Sequence, residues 1–218
     1  MATKLRYTFD YLIDTFSIQI LQQLPILDEW LVGSVFEFDI VQQQLLADAH
    51  SGMSRLGDYW NEEELKMNFI SLILYITQLN EQGKIQTFFE RSFQAKRNQI
   101  LLSVKCDLMV ATLLGVNSPK APYFFLQEFK RGRGDIYDPE APMLAAMLIA
   151  QTLNHDDKPL FGAYILGRNW FFAVLKESSY CRSRQFDASQ QDDLNQIIFI
   201  LRKLKSLILD HPQLGLFV

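Results

Sequence analysis

Apolar positions along the chain recur first at helical spacing and then at alternate residues, and the change of period divides it. Leu12, Phe16, Ile20 and Leu24 trace one helical stripe, which Pro25 is expected to end. A second helical segment follows at Ile26–Val32, stopping near Gly33, and a third at about Phe38–Ala49. From Asn61 the pattern sharpens in NEEELKMNFISLILYITQLN. Asn61 can cap a helix whose positive end suits three glutamates, and Leu65, Phe69, Leu72, Ile73, Ile76 and Leu79 form its apolar stripe. Gly83 is read as the breaker of that helix. Two strands are expected next, about Ile85–Gln94 and Gln99–Ala111, with a turn near Lys96, Arg97 and Asn98.

The second of these strands alternates cleanly. Ile100, Leu102, Val104, Cys106, Leu108 and Val110 fall on one face, and Ser103, Lys105 and Asp107 on the other. After a loop around Gly115–Pro119 comes PYFFLQEFKRGRG, Pro122–Gly134, whose aromatic start reads as a short, buried strand. Asp138 and Pro139 then suit a helix start, and that helix runs to about Asn154, with Glu140, Leu144, Met147 and Gln151 on one face. Strands follow at Leu160–Leu166, Trp170–Leu175 and about Tyr180–Phe186. A last amphipathic helix, Asp192–Leu209, carries Leu194, Ile197, Ile198, Leu201, Leu204 and Ile208. The order is helix, three strands, helix, strands, helix, preceded by a helical segment over residues 1–60. Residues 61–218 read as the main domain. The first 60 residues read as a layer packed on it or as a surface for a homodimer.

Composition narrows the class. The chain has 218 residues, 49% hydrophobic and 21% charged, which suits a filled globular core rather than a disordered chain. Cys106 and Cys181 have no metal-ligand spacing and suggest no disulfide framework, so a reducing, cytoplasmic setting is expected. The start of the chain lacks the apolar core of a signal peptide, and the apolar run Phe69–Ile76 is too short to span a bilayer. No membrane partner is expected. A net charge of −4 does not advertise a nucleic-acid binder, although local patches outweigh the total.

Candidate chemistry lies at the end of the third strand. Glu128 and Lys130 are two residues apart on a strand, so they share a face, while Gln127 and Phe129 share the other. A carboxylate and an ammonium beside an apolar strand are costly to desolvate and mark either an ion pair or a site. The spacing alone is weak, since roughly one such tripeptide arises by chance in a chain of this length. A second copy, Glu64-Leu65-Lys66, falls on a helix, where residues two apart do not share a face. Asp107 adds weight, because aspartate is disfavoured in the middle of a long strand. At about 100° per residue, Glu62 falls on the edge of its helix's apolar stripe and Glu63 beside Ile70 and Leu74. Either can lean towards the sheet, although compensation of the helix dipole alone accounts for all three glutamates. No nucleophile turn of the Gly-x-Ser-x-Gly kind and no phosphate-cradling glycine loop is present. None of the histidines has metal-ligand spacing, and His155 and His211 read as solvated loop residues.

Asp107 on the second strand and Glu128-Phe129-Lys130 on the third, between two helices, resemble the motif of the PD-(D/E)XK phosphodiesterase superfamily. The resemblance covers roughly residues 61–175 and departs from the motif at Lys105-Cys106, where its name has a proline. It implies an α/β protein with a restriction-endonuclease-like αβββαβ core, a mixed central sheet flanked by helices. It also implies a metal-dependent nuclease. Asp107 and Glu128 match the motif's acids, Lys130 its lysine, and Glu62 or Glu63 the acid many members carry on the first helix. Gln151 stands where some members have a glutamine.

That reading needs Mg²⁺ or Mn²⁺, held by two carboxylates and a backbone carbonyl, to polarise the scissile phosphate. Lys130 would orient the attacking water and offset transition-state charge. Nucleic acid is the implied partner, DNA first. Lys130, Arg131 and Arg133 beside the site, with Lys96, Arg97 and Arg168 in turns, would form a phosphate-binding edge if gathered on one rim. Two other readings stay open: a catalytically silent nuclease-like module that binds nucleic acid or protein, and a buried ion-pair network in an α/β protein of another kind.

Overall fold

The computed structural model describes residues 7–132, 138–211 and 214. Four helices precede the first long strand: α1 (Phe9–Phe16), α2 (Pro25–Leu31), α3 (Ile40–Leu56) and a composite one. The composite begins as α4 (Glu62–Leu65), widens into a π-helical turn (Lys66–Ile70) and continues as α5 (Ser71–Thr77). The strands are β1 (Gln19–Ile20), β2 (Gln86–Arg97), β3 (Ile100–Leu114), β4 (Ser118–Lys130), β5 (Leu160–Leu166), β6 (Asn169–Lys176), β7 (Ser179–Arg182) and β8 (Phe186–Asp187). Helix α6 (Glu140–Asn154) joins β4 to β5, and α7 (Gln191–Leu209) closes the fold.

All eight strands belong to one mixed sheet in the order β1-β7-β6-β5-β4-β3-β2, with β8 on β6. β2, β3 and β4 are antiparallel neighbours, and β4 and β5 are parallel, as a crossover through α6 requires. One face packs against α2, α3, α5 and α7, with Trp30, Phe69, Phe125, Phe172 and Leu201 among its buried residues. The other packs against α1 and α6 through Phe16, Phe88, Leu126, Met143 and Met147. Trp30 lies edge-on to Phe125, Phe161 and Phe172, and its Nε1–H donates to Ile200 O at 2.9 Å, so the first helices lock onto the sheet. No helix among the described residues is long and apolar enough to cross a membrane.

Four expectations are corrected. The first helix ends at Phe16, not at Pro25. Ser17 takes a left-handed conformation (φ 52°), and Gln19–Ile20 then pairs in parallel with β7, so Ile18 is buried in place of Ile20. Pro25 starts α2, where its missing N–H costs nothing. The composite helix ends at Thr77, where Gln78 is left-handed (φ 50°). Gly83 serves the turn that brings Glu81 to Ile85. The single strand expected around Tyr180–Phe186 is two, β7 and β8, both on β6.

The fourth correction concerns the face of β3. Leu102, Val104 and Cys106 pack on the α6 side, whereas Leu108 and Val110 pack on the opposite side. Alternation changes phase between Cys106 and Leu108. On the partner strand Phe93 and Ala95 lie on the same side as Phe88, with Glu90 between them at φ 54°. A left-handed residue inside a strand breaks the pleat, and Glu90 and Asp107 mark the break on the two strands. The hairpin turns on Asn98 and Gln99, both at positive φ, as a two-residue turn matched to strand twist requires.

Candidate active site

β3 and β4 pair backbone to backbone as far as Leu108 opposite Gln127. Just beyond that pair, the Phe129 N–H donates instead to Asp107 Oδ2 at 3.0 Å. A side chain thus replaces a ladder carbonyl, and the two strands part at Asp107 and Glu128. Lys130 Nζ lies 4.0 Å from Asp107 Oδ2 and 3.1 Å from Glu62 Oε1, and donates to Phe129 O at 3.1 Å. Asp107, Glu128, Lys130 and Glu62 therefore come together from β3, β4 and α4.

Glu128 is 3% exposed, and its Oε1 has no hydrogen-bond partner. Burial and then the neighbouring Asp107 push its pKa well above the ordinary carboxylate range, with Lys130 pulling the other way. Asp107 also rises. Burial outweighs the Phe129 N–H, Lys130 and the hydrogen bond shared with Glu128. Both carboxyls are therefore easier to protonate than free ones, Glu128 the more so. Lys130 stays charged, because Asp107, Glu62 and Glu128 together outweigh its burial and raise its pKa.

The two glutamates that sequence left as alternatives separate. Glu62 faces Lys130, whereas Glu63 is largely exposed and pairs with Lys66 at 2.9 Å. Gln151 is not brought to the cluster. Its Oε1 accepts from Arg97 Nη1 at 2.7 Å and its Nε2 donates to Glu177 O at 3.0 Å. It lies well along α6 from Glu140, about 16 Å at 1.5 Å per residue.

Sequence reasoning missed two groups beside these residues. Lys66, from the second Glu-x-Lys copy, opens the π-helical turn and bridges Glu63 and Glu90, each at 2.9 Å, with its ammonium 5.5 Å from the centre of the Phe129 ring. Lys105 pairs with the other oxygen of Glu90. The sequence carries no signal for it, because it depends on the left-handed turn at Glu90. On the α6 side, buried Glu140 accepts from Tyr180 OH at 2.8 Å and Tyr164 OH at 3.2 Å, and Arg182 Nη1 donates to Tyr164 OH at 2.7 Å. Tyr164 is the β5 partner of Glu128, which puts this group next to the first. Burial raises the Glu140 pKa despite Tyr180 and Arg182. A glutamate in the first turn of α6 was the available signal.

Glycine at two positions fixes the segment after Lys130. The Gly167 N–H donates to Lys130 O at 2.8 Å, Gly167 has φ 61°, and a Cβ there would stand 2.6 Å from Gly132 Cα. The basic residues do not all share one rim: Arg168 follows Gly167, whose N–H donates to Lys130 O, and so stands at the Lys130 end, whereas Arg97 and Lys96 do not. Arg97 turns onto Gln151, and Arg168 lies 3.9 Å from Asp58 and 3.6 Å from Asp187. Lys96 is exposed on the hairpin, and Arg133 falls outside the described residues. His211, expected in solvent, instead packs its ring edge-on to Phe124 and lies 3.4 Å from Asp156.

No protein-family model matches the chain, and no curated protein matches it. The chemistry of the site therefore stands on its own residues. Among the described residues no three His, Cys, Asp or Glu side chains converge as a ready ligand set. Asp107 and Glu128 nevertheless fit a divalent cation. Two carboxyls pressed together, one with a buried oxygen left unpartnered, are relieved by a cation between them, and Mg²⁺ or Mn²⁺ favours oxygen donors and keeps part of its water.

Proposed function

We propose that the chain is a metal-dependent nuclease of the PD-(D/E)XK kind, acting on nucleic acid through Asp107, Glu128 and Lys130. Three supports converge. The order α4–α5, β2–β3–β4 antiparallel, α6, then β5 parallel to β4 is compatible with the αβββαβ order that the resemblance implies, and supports the reading to that extent. Asp107 and Glu128 meet where the strands part, and Glu62 holds Lys130 beside them. The observation that carries the reading is the buried Glu128 carboxyl beside that of Asp107, with Oε1 left without a hydrogen-bond partner, an arrangement disfavoured in a purely structural strand.

Asp107 and Glu128 would hold Mg²⁺ or Mn²⁺. The chemistry such an ion supplies when bound is Lewis-acid polarisation of a phosphate oxygen. Lys130 carries its proton and presents a positive charge to a phosphate, offsetting charge that builds in the transition state. Glu62 orients that ammonium. The enclosed position of Glu128 keeps bulk water away from its carboxyl.

Purified protein is expected to cleave nucleic acid with Mg²⁺ or Mn²⁺ and not with chelator. Asp107→Ala and Glu128→Ala should each abolish cleavage while the circular dichroism spectrum is kept. A catalytically silent module is the second reading, favoured by the engagement of Lys130 with both Glu62 and Asp107. Metal-independent nucleic-acid binding without cleavage would select it.

A further inference from the structure

Leu126 and Tyr164 pack on the α6 side of the sheet, and Glu128, two residues after Leu126 and opposite Tyr164, faces the same side. Tyr180 packs there too, and Arg182 follows it by two residues on β7. One sheet face thus runs from Glu128 through Tyr164 and Phe171 to Arg182, across the neighbouring strands β4, β5, β6 and β7. At a strand spacing of about 4.8 Å, β7 lies about 14 Å from β4. The Arg182 side chain reaches part of the way back, to the Tyr164 hydroxyl at 2.7 Å.

Arg182 is held from one edge and open at another. Its Nη1 donates to Tyr164 OH and lies 3.7 Å from Glu140 Oε2, while the guanidinium stands 5.7 Å from the centre of the Phe171 ring. Phe171 stacks on Tyr164 at 4.6 Å, and Tyr180 OH donates to the other oxygen of Glu140 at 2.8 Å. Tyr164, Tyr180 and Glu140 are buried, whereas the Arg182 side chain is 52% exposed. Among the described residues its Nε and Nη2 donate to nothing. Those two nitrogens form one edge of the guanidinium, and such an edge meets two oxygens of a phosphate at once. A side chain already fixed by its neighbours also loses little freedom on binding. We propose that Arg182 holds a phosphate of the nucleic-acid strand, away from the one at Asp107, Glu128 and Lys130. The span of about 14 Å corresponds to about four nucleotides at 3.4 Å per step along one strand. Arg182 is then a binding residue, with Tyr164 and Glu140 positioning it. The proposal deepens the nuclease reading and rests on it for the kind of ligand.

The test is fluorescence anisotropy of a fluorescein-labelled DNA duplex over a series of salt concentrations, with chelator present so that binding is read without cleavage. Arg182→Gln should weaken binding and lower the slope of log K against log salt by about 0.9, the loss of one phosphate contact. Arg182→Lys keeps the charge and should keep the slope. Lys203→Gln removes the same charge from α7, on the other side of the sheet, and should match wild type. Because Arg182→Gln leaves Glu140 buried without its cation, the double variant Glu140→Gln, Arg182→Gln is measured beside it and should show the same drop. An unchanged slope in both Arg182→Gln variants, an equal drop in Lys203→Gln, or no binding by wild type overturns the proposal. The two claims separate cleanly. A slope that depends on Arg182 without any metal-dependent cleavage removes the nuclease and keeps the phosphate contact, whereas cleavage with an unchanged slope does the reverse.

Discussion

Lys130 Nζ stands 3.1 Å from Glu62 Oε1, and that contact ties the start of the composite helix to the end of β4. It also sets where the ammonium points. Glu62 is 41% exposed, so the pair itself contributes at most about 1 kcal/mol to stability. Glu62→Gln should therefore leave the melting curve nearly unchanged while lowering cleavage by about tenfold to a hundredfold, the scale of a misplaced reacting group. Parallel melting and initial-rate measurements check the split.

Glu128 gives a pH signature that requires no substrate. Its folded pKa lies above the ordinary value of 4.5, chiefly through burial. As pH climbs past that value the unfolded chain ionises this carboxyl and the folded chain does not. The unfolded state then binds fewer protons, and stability falls with rising pH. Glu128→Gln removes the effect. In chelator the variant should melt above wild type at pH 7 to 8, and the two curves should converge towards pH 4.

Glu90 should behave in the opposite sense. Burial pushes its pKa up, but Lys105 and Lys66 together outweigh burial and bring it below 4.5. Its stabilisation is present above the unfolded pKa and is lost as pH falls through the lower folded one. Because Glu90 is about a third exposed, Glu90→Gln should cost no more than about 1 kcal/mol at pH 7. The deficit should vanish in acid. Urea unfolding at pH 7 and below pH 4 checks it.

Gly167→Ala tests the backbone approach behind Lys130. A Cβ there meets Gly132 at 2.6 Å, and φ 61° is unfavourable for alanine. A loss of about 1–3 kcal/mol is expected in urea unfolding. Cleavage should fall with it, because the segment carrying Lys130 and Arg131 has to shift.

Much of this arrangement was legible as a pattern. Asp107 was conspicuous because aspartate is out of place inside a strand, and Glu128 and Lys130 because charge follows an aromatic run. Their meeting rests on the pairing of β3 with β4, which alternating apolar runs and short connections signal well. The face of Asp107 was not legible. Clean alternation from Ile100 to Val110 hid a change of phase that depends on a left-handed Glu90 on another strand. Glu62 and Glu63 stayed undecided because helical projection tells only which way each leans, and Lys130 decides it from across the sheet. Gln151 stays with Arg97 and Glu177, because a place on the helix after the motif fixes no depth along that helix. Pro25 suits a first helical position as well as a helix end, and α1 ends instead at Ser17, a residue without a distinctive signal.

The central claim is that Asp107 and Glu128 form a cation site, and isothermal titration of Mn²⁺ tests it most directly. Wild type should bind the ion, and the Asp107→Ala, Glu128→Ala double variant should not, with both proteins folded by circular dichroism. Equal binding by the two, or no binding by wild type, contradicts the account.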